Sequence, residues 1–371
     1  MIRLLLALFL FTIFSIFQAC EEKLSEQFIE KLDELKPDRR TVVYELQYER
    51  HNGMWVFNLE TSDQSYVSSL SELVEEFLPE NTFRIDSKIL PDSVLGDTLY
   101  GVVNVSVANL RRSPRHSAEL VDQVLFGMPL KLLKKDSYWY LVQTPYDYLG
   151  WVTRGSMKRM TFEQLSEYKD SDRVVLIKVF EQILSEPIPG SSVIADAVEG
   201  CVFRTGEKKG NWIEITLPDG RNGYLPILAV KEYISINNNP VIDRQEIVRH
   251  ARSLMGIPYL WGGHSTKGMD CSGFTSTVFR TYGYQLPRDA NMQVNIGKEV
   301  IPDSSYSNVF PGDLIFFGSE NRITHVGISL GGSYFIHSSD DVHVNSLDEN
   351  DNLFNAYRKR TFRLIKRIIE D

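Results

Sequence analysis

Apolar side chains fall at alternate positions in two neighbouring stretches near the start of the chain. Val42, Tyr44, Leu46 and Tyr48 form the first, and Trp55, Phe57 and Leu59 the second. His51-Asn52-Gly53 lies between them, and Asn-Gly between alternating runs predicts a β-hairpin because both residues accept the backbone of a tight turn. The period then changes: Val67, Leu70, Val74 and Phe77 recur at helical spacing, and Phe83, Ile85 and Ile89 predict a returning strand. Residues 21–36, ahead of the hairpin, are charged and weakly helical and stop at Pro37, so they read as a tether. The span 21–95 is thus expected to be a tether followed by a small α+β domain.

The middle of the chain repeats itself. Val102, Pro114, Gly127, Trp139, Pro145, Gly150 and Trp151 are matched 73 positions later by Val175, Pro187, Gly200, Trp212, Pro218, Gly223 and Tyr224. Matches at one offset without a gap mean two copies of one unit. Each copy consists of short strands divided by turn residues and closes on Trp, Pro and a Gly-aromatic pair ("YWYLVQTPYDYLGWV", "NWIEITLPDGRNGYL"), which predicts a small β-barrel. Over residues 97–158 and 172–232 these copies resemble bacterial SH3 (SH3b) domains, the first more closely, through "NLRRSPRHSAELV". The resemblance implies wall-binding or accessory modules; a barrel that only spaces or shapes a neighbouring site is the other reading, since fold does not fix function.

Composition narrows the class. With 371 residues, 43% hydrophobic and 24% charged, the chain has room for two to four ordinary globular domains. Its formal charge of −9 becomes −10 once Arg3 of the leader is set aside, and no Lys/Arg block exceeds three residues. A polyanionic partner would need a concentrated basic footprint, so nucleic acid is not expected. Arg3 precedes an apolar run from Leu4 to Phe17 that is shorter than the ~20 residues of a spanning helix, which reads as an export signal over 1–20. Phe17-Gln18-Ala19-Cys20 resembles a bacterial lipobox, although Phe and Gln depart from the usual residues. That implies lipidation at Cys20 and a membrane-anchored protein facing the periplasm or cell surface; a plainly cleaved signal or a short anchor is the alternative. Of the three cysteines, Cys20 would then be consumed, Cys201 in an apolar run reads as a buried small hydrophobe, and Cys271 remains.

Residues 233–240 read as a linker to a domain over 241–371. Asp243 and Glu246 form a capping-box pattern ahead of Ile247, Val248, Ala251 and Leu254. Asp270 is a good N-cap residue, after which Cys271, Phe274, Thr275, Val278 and Tyr282 share one helical face. A helix N-terminus lowers a thiol's pKa and favours the thiolate, and such a nucleophile needs an oriented histidine as its base. His325 ("ITHVGISL") and His337 ("SYFIHSS") lie in two strand-like runs joined through Gly331-Gly332. A loop centred on Gly331 pairs them directly on one face, whereas a pure two-residue turn puts them on opposite faces.

"PYLWGGHSTKGMDCSGFTSTVF", "LPRDANMQ", "FPGDLIFFG", "THVGISLG" and "YFIHSS" resemble, in order, the motifs of the NlpC/p60 cysteine peptidases. The resemblance implies a papain-like α+β domain in which a Cys-bearing helix packs on an antiparallel sheet bearing His, and a multidomain α+β chain overall. It implies Cys271 as nucleophile, His325 as general base and then acid, and His337 as the residue orienting that imidazole. Tyr259 would assist the oxyanion, or equally be a core aromatic. The order of SH3b domains before this catalytic type, with Asp289 inside "PRDA", resembles the YkfC-like γ-D-glutamyl-L-diamino acid endopeptidases, also called dipeptidyl-peptidase VI. These act on murein peptides (L-Ala-γ-D-Glu-diamino acid) with a free N-terminal L-Ala. A carboxylate can pair with an α-ammonium and reject acylated alanine, which is the role implied for Asp289; pairing with Arg288 at a turn is its other reading. Glu119 and Tyr148 of the first SH3b domain would close one end of the cleft, and Asp270 and Ser272 would contact substrate. Ala290 stands where a hydroxyl often follows the aspartate. No cofactor or metal is implied, and a monomer is expected. The competing readings are a wall-binding lipoprotein with a degenerate catalytic domain, a murein endopeptidase of broader specificity, and a zinc site from Cys271, His325 and His337.

Overall fold

Alternation and helical spacing near the start of the chain produce the elements they predict. In the computed structural model, which describes residues 23–233 and 243–369, α1 (Glu26–Glu34) precedes β1 (Tyr44–His51) and β2 (Met54–Thr61), and α2 (Ser65–Phe77) leads to β3 (Phe83–Ile89). The strands form one sheet in the order β1-β2-β3, with β1 and β2 antiparallel from Tyr44↔Thr61 to His51↔Met54 across Asn52-Gly53. One departure concerns the expected tether. Phe28 and Leu32 of α1, one turn apart, are buried with Phe57, Leu59, Leu70 and Val74. Burying two such side chains is worth about 1.5–3 kcal/mol each, which outweighs the charged composition of the rest of the helix and makes it part of the domain. The export segment, Cys20 and residues 234–240 of the linker lie outside the described residues.

Of the described residues this first unit takes in 23–38 together with Tyr44–Lys88; residues Arg39–Val43 belong instead to a second unit with Ile89 onward. The second unit opens with β4 (Tyr100–Val103), β5 (Val107–Arg111), β6 (Leu120–Leu125), β7 (Pro129–Asp136), β8 (Trp139–Gln143), β9 (Leu149–Thr153) and β10 (Met157–Met160). After α3 (Phe162–Asp170), which starts at a capping box between Thr161 and Gln164, come β11 (Arg173–Leu176), β12 (Phe180–Leu184), β13 (Val193–Val198), β14 (Val202–Lys209), β15 (Trp212–Thr216), β16 (Asn222–Pro226) and β17 (Val230–Glu232). The two seven-stranded sheets run β10-β4-β7-β8-β9-β5-β6 and, read from the other end, β17-β11-β14-β15-β16-β12-β13. Strand for strand these are the same order.

The 73-residue offset extends to individual contacts. A Cβ on Gly150 would sit 2.7 Å from Leu110, and one on Gly223 would sit 2.5 Å from Ile183, the residue 73 positions beyond Leu110. Both glycines are therefore required by the same close approach. Cys201 is fully buried with Phe203 and Leu225 in the core of the second seven-stranded sheet, where burial pushes its thiol up to about 12; it is the buried small hydrophobe expected of it.

The last part of the chain holds α4 (Arg244–Ser253), the short hairpin β18 (His264–Ser265) and β19 (Gly268–Met269), α5 (Cys271–Arg280), α6 (Ala290–Gln293), β20 (Lys298–Val300), β21 (Leu314–Ser319), β22 (Arg322–Gly331), β23 (Tyr334–Ser338), β24 (Val342–Ser346), α7 (Ala356–Thr361) and β25 (Phe362–Arg367). Asp243 caps α4 through the Gln245 N–H at 2.8 Å. The sheet order is β20-β25-β21-β22-β23-β24, and its pairs are antiparallel. Phe274 and Val278 of α5 pack into one cluster with Val326, Ile328 and Ile336 of the sheet, so the cysteine-bearing helix lies on the histidine-bearing strands.

Candidate active site

Asp270 ends an extended segment and starts α5. Its Oδ1 accepts the Gly273 N–H at 2.7 Å, which satisfies one of the donors that a helix N-terminus leaves unpaired. Gly273 has to be glycine, because a Cβ there would lie 2.1 Å from the carbonyl oxygen of Gly263. The "DCSG" sequence is thus a cap, a thiol in the first turn, and a backbone approach that holds the Gly262-Gly263 loop beside that thiol. The cysteine is buried rather than open. Burial pushes the Cys271 thiol up to about 12, the Asp270 charge adds to this, and the N–H groups of Val326 and Ser272 pull the other way. The expected lowering by the helix terminus is outweighed by desolvation, so the resting group is a thiol.

Facing it is a chain of imidazoles. His325 Nε2 lies 2.8 Å from His337 Nδ1, and His337 Nε2 lies 3.0 Å from Asn345 Oδ1. The amide orientations follow from the capping of α7. The Arg358 N–H donates to Asn355 Oδ1 at 3.0 Å, and Asn355 Nδ2 donates to Asn345 Oδ1 at 2.9 Å. An Asn345 oxygen at that position is an acceptor, so His337 carries its proton on Nε2 and accepts at Nδ1. His325 must then donate from Nε2, which leaves its Nδ1 lone pair free to take a proton. Burial holds both rings below the usual histidine value, His325 well below and His337 at about 3, so both are neutral. The Val326 N–H that acts on the thiol belongs to the residue after His325, which sets that strand against Cys271. Among the described residues no hydrogen bond joins the thiol to His325 itself; such contacts are often long before substrate arrives.

His325 and His337 share a face, but neither loop considered from the sequence describes how. The tip is a two-residue turn, with Gly331 opposite Tyr334, and an irregularity between Ser329 and Gly331 resets the register to Ile328↔Ile336. One extra residue on β22 restores the parity that the turn would have lost. His325 therefore meets His337 diagonally, not as a direct pair.

Among the described residues Arg288 ranks first of the large, fully buried side chains. It donates to Asp122 Oδ1 at 2.6 Å, to Asp270 at 2.7 and 3.1 Å, and to Ser272 Oγ at 3.1 Å. Asp122 comes from β6 and also meets His264 Nδ1 at 3.0 Å and the Tyr146 hydroxyl. Burial alone would raise the Asp122 carboxyl, but Arg288, His264 and Tyr146 together hold it below the usual carboxylate value. This network ties the first seven-stranded sheet to the cap of α5. It also commits Asp270 and Ser272 inward, since each is under a tenth exposed and its side chain is taken by Arg288. Arg288 therefore does not pair with Asp289.

The structure brings Asp289 to Tyr148 instead, whose hydroxyl donates to Asp289 Oδ2 at 3.0 Å. Arg40 reaches the same oxygen at 2.7 Å. Glu119 accepts from Trp261 Nε1 at 3.0 Å and from Arg112 at 2.5 Å, and those bonds hold its carboxyl below the ordinary value. Asp289 thus meets Tyr148, and Glu119 meets Trp261, where the first sheet abuts the Cys271 domain, while Ala290 is buried as the first residue of α6. Tyr259 lies nearer the thiol. Burial, with Cys271 and Asp270 beside it, raises its phenol above the ordinary value, so the hydroxyl stays protonated and able to donate. Asn345, Asn355, Asp122 and Arg40 escaped the sequence reading. Asn345 alone left a signal, standing two residues after His343 on the strand that follows His337. Among the described residues no group of three or more His, Cys, Asp or Glu is arranged to hold a metal, and the facing nitrogens of His325 and His337 are spent on each other.

The model of the NlpC/P60 family matches residues 256–364, and that of the bacterial dipeptidyl-peptidase Sh3 domain matches residues 110–156. Dipeptidyl-peptidase 6 of Lysinibacillus sphaericus is 30% identical over 264 residues, covering 68% of this chain and 93% of the relative. The chain belongs to the NlpC/P60 family. A γ-D-glutamyl-L-lysine dipeptidyl-peptidase of Bacillus subtilis is 36% identical over 127 residues, 32% of this chain and 42% of that one. The crystal structure of an NlpC/P60 family protein from Bacillus cereus superposes with a TM-score of 0.63 at 20% identity, covering 73% of this chain and all of the other, which speaks to the fold. Membership makes the chain a peptidase, multidomain and rich in β-structure, and implies an extracellular or periplasmic location. Among the described residues no helix is long and apolar enough to cross a membrane.

Proposed function

We propose that the chain hydrolyses the amide between the γ-carboxyl of D-Glu and the diamino acid of murein peptides whose N-terminal L-Ala is free. The observation that carries this reading is the meeting of Tyr148, which immediately precedes β9 of the first seven-stranded sheet, with Asp289 at 3.0 Å. A carboxylate held in place beside the catalytic domain suits an α-ammonium two residues from the scissile bond, and the L-Ala-γ-D-Glu unit would span from it to Cys271. Glu119 adds a second carboxylate there. Asp270 and Ser272 act on substrate through the backbone they position rather than through their side chains.

In this mechanism Cys271 passes its proton to His325 Nδ1 as sulfur attacks the γ-carbonyl of D-Glu. Thiolate and imidazolium form together, which suits a buried pair that is neutral at rest. The tetrahedral oxyanion accepts N–H groups at the start of α5 and the Tyr259 hydroxyl. His325 then protonates the departing amine of the diamino acid, leaving a thioester on Cys271. Finally His325 takes a proton from water as it attacks the thioester, and the dipeptide acid and the thiol are released. His337 and Asn345 hold the His325 tautomer throughout. We further read the repeat over 172–232 as a second SH3b domain and Cys20 as a lipid anchor, which would hold the monomeric enzyme at a membrane with access to wall fragments.

Mass spectrometry of products from matched tripeptides, with free and with acetylated N-terminal alanine, tests the proposal. Release of L-Ala-γ-D-Glu from the free peptide, with the acetylated one much slower, is expected. Equal turnover of both would favour a broader murein endopeptidase, and turnover of neither by a correctly folded protein would favour a non-catalytic wall-binding lipoprotein.

A further inference from the structure

Asp289 is not left alone to meet a substrate. Arg40 Nη1 lies 2.7 Å from Asp289 Oδ2 and 2.7 Å from Asn291 Oδ1. The arm that delivers it is anchored by its main chain: the Arg40 carbonyl accepts the Leu149 N–H at 2.7 Å, and the Thr41 carbonyl accepts from Gln143 Nε2 at 3.0 Å. Those anchors sit on β8 and β9, beside Tyr148, which shares Asp289 Oδ2 with Arg40. The guanidinium therefore stands at Asp289 because the fold brings it there, and the side chains of the pair are about a quarter exposed, 26% and 27%. A second arginine, Arg112, pairs with the nearby Glu119 at 2.5 Å. Both carboxylates that the proposed function gives to the substrate's ammonium are thus already opposed by a cation of the protein.

We propose that Arg40 is a specificity-determining residue, a built-in cation that competes with the α-ammonium of the substrate for Asp289. The inference rests on the role given above to Asp289. If the ammonium takes Oδ2, Arg40 must swing away while its main chain stays anchored. If it takes the other oxygen, two like charges share one carboxylate. In both cases Arg40 weakens the preference for a free N-terminus, and its partial exposure keeps the effect modest. A site with Asp289 unopposed would reject acylated peptides more strictly than this one does.

The test is the ratio of kcat/KM for free over N-acetylated tripeptide in wild type, Arg40→Gln, Arg40→Lys and Asp289→Asn. Arg40→Gln is expected to raise that ratio about fivefold, the scale of a partly exposed ion pair, mainly through a lower KM for the free peptide. Raising the salt concentration should shrink the difference between wild type and Arg40→Gln, and Arg40→Lys should stay near wild type. A wild type that discriminates, with a ratio unchanged or lowered in Arg40→Gln, overturns the inference and leaves the role of Asp289 standing. A wild type that does not discriminate, with a ratio unmoved by Asp289→Asn, removes the role of Asp289 and the inference with it.

Discussion

Replacing Arg288 by methionine removes a cation that is 1% exposed while leaving two carboxylates behind. Asp122, fully buried, keeps only the His264 and Tyr146 bonds, whereas Asp270 keeps the N–H groups of Gly262 and Gly273 and the Ser272 hydroxyl. Breaking a buried ion pair from one side costs about 3–5 kcal/mol, because the remaining charge has lost its compensation. The better-solvated state of Asp270 puts the expectation near the lower end, about 3 kcal/mol. The loss should be local, since Arg288 joins β6 to the cap of α5. Hydrogen exchange of the amides of residues 271–279 reads it directly, and a multidomain chain is better followed this way than by a single melting curve. At about 1.4 kcal/mol per tenfold, exchange from these amides should rise by roughly a hundredfold. A rise below about fivefold would show that the carboxylates do not depend on Arg288 and that the network is not what fixes the start of α5.

Other expectations follow from the same geometry. Asn345→Leu removes the acceptor that sets the His337 tautomer; turnover should fall by up to about a hundredfold, with the ring-nitrogen shifts of His325 and His337 changing in NMR spectra, and unchanged shifts would refute the tautomer assignment. Burial holds the folded-state pKa values of His325 and His337 below the unfolded value, so their stabilising contribution is complete above about pH 6.5 and is lost as the pH falls, for His337 down to about 3. Denaturant titrations should then show stability decreasing by up to about 1.4 kcal/mol per pH unit for each ring over that window, and a His337→Gln variant should show the smaller slope. Gly150→Ala and Gly223→Ala each press a methyl into an equivalent side chain, Leu110 or Ile183, and each should cost about 1–3 kcal/mol by denaturation; a loss in one sheet without the other would contradict their equivalence.

Much of this arrangement could be read from local pattern. The cap at Asp270, the thiol in the first turn, the Asn-Gly hairpin and the 73-residue repeat depend on neighbours in sequence or on a fixed offset, and composition alone marks them. Contacts between distant segments were not legible. Arg40 meets Asp289 across 249 positions and Arg288 meets Asp122 across 166, and a charged residue in a sequence does not name its partner. Arg288 looked like turn chemistry because burial is a property of the assembled domains, not of "LPRDA". The register of the histidine hairpin was hidden for another reason: one irregular residue at its tip changes which positions face each other, and β-branching or polarity does not announce it. Residues 21–36 misled through averaging, since a high charge content concealed Phe28 and Leu32 one turn apart.

The account turns on sulfur of Cys271 carrying the acyl half of the substrate after His325 has taken its proton. Intact-protein mass spectrometry of acid-quenched reactions with the free tripeptide measures this most directly. The account predicts an adduct of the L-Ala-γ-D-Glu acyl group that maps to Cys271, forms in wild type, and is absent with turnover in Cys271→Ala. Turnover that persists in Cys271→Ala, or an adduct on another residue, would contradict it.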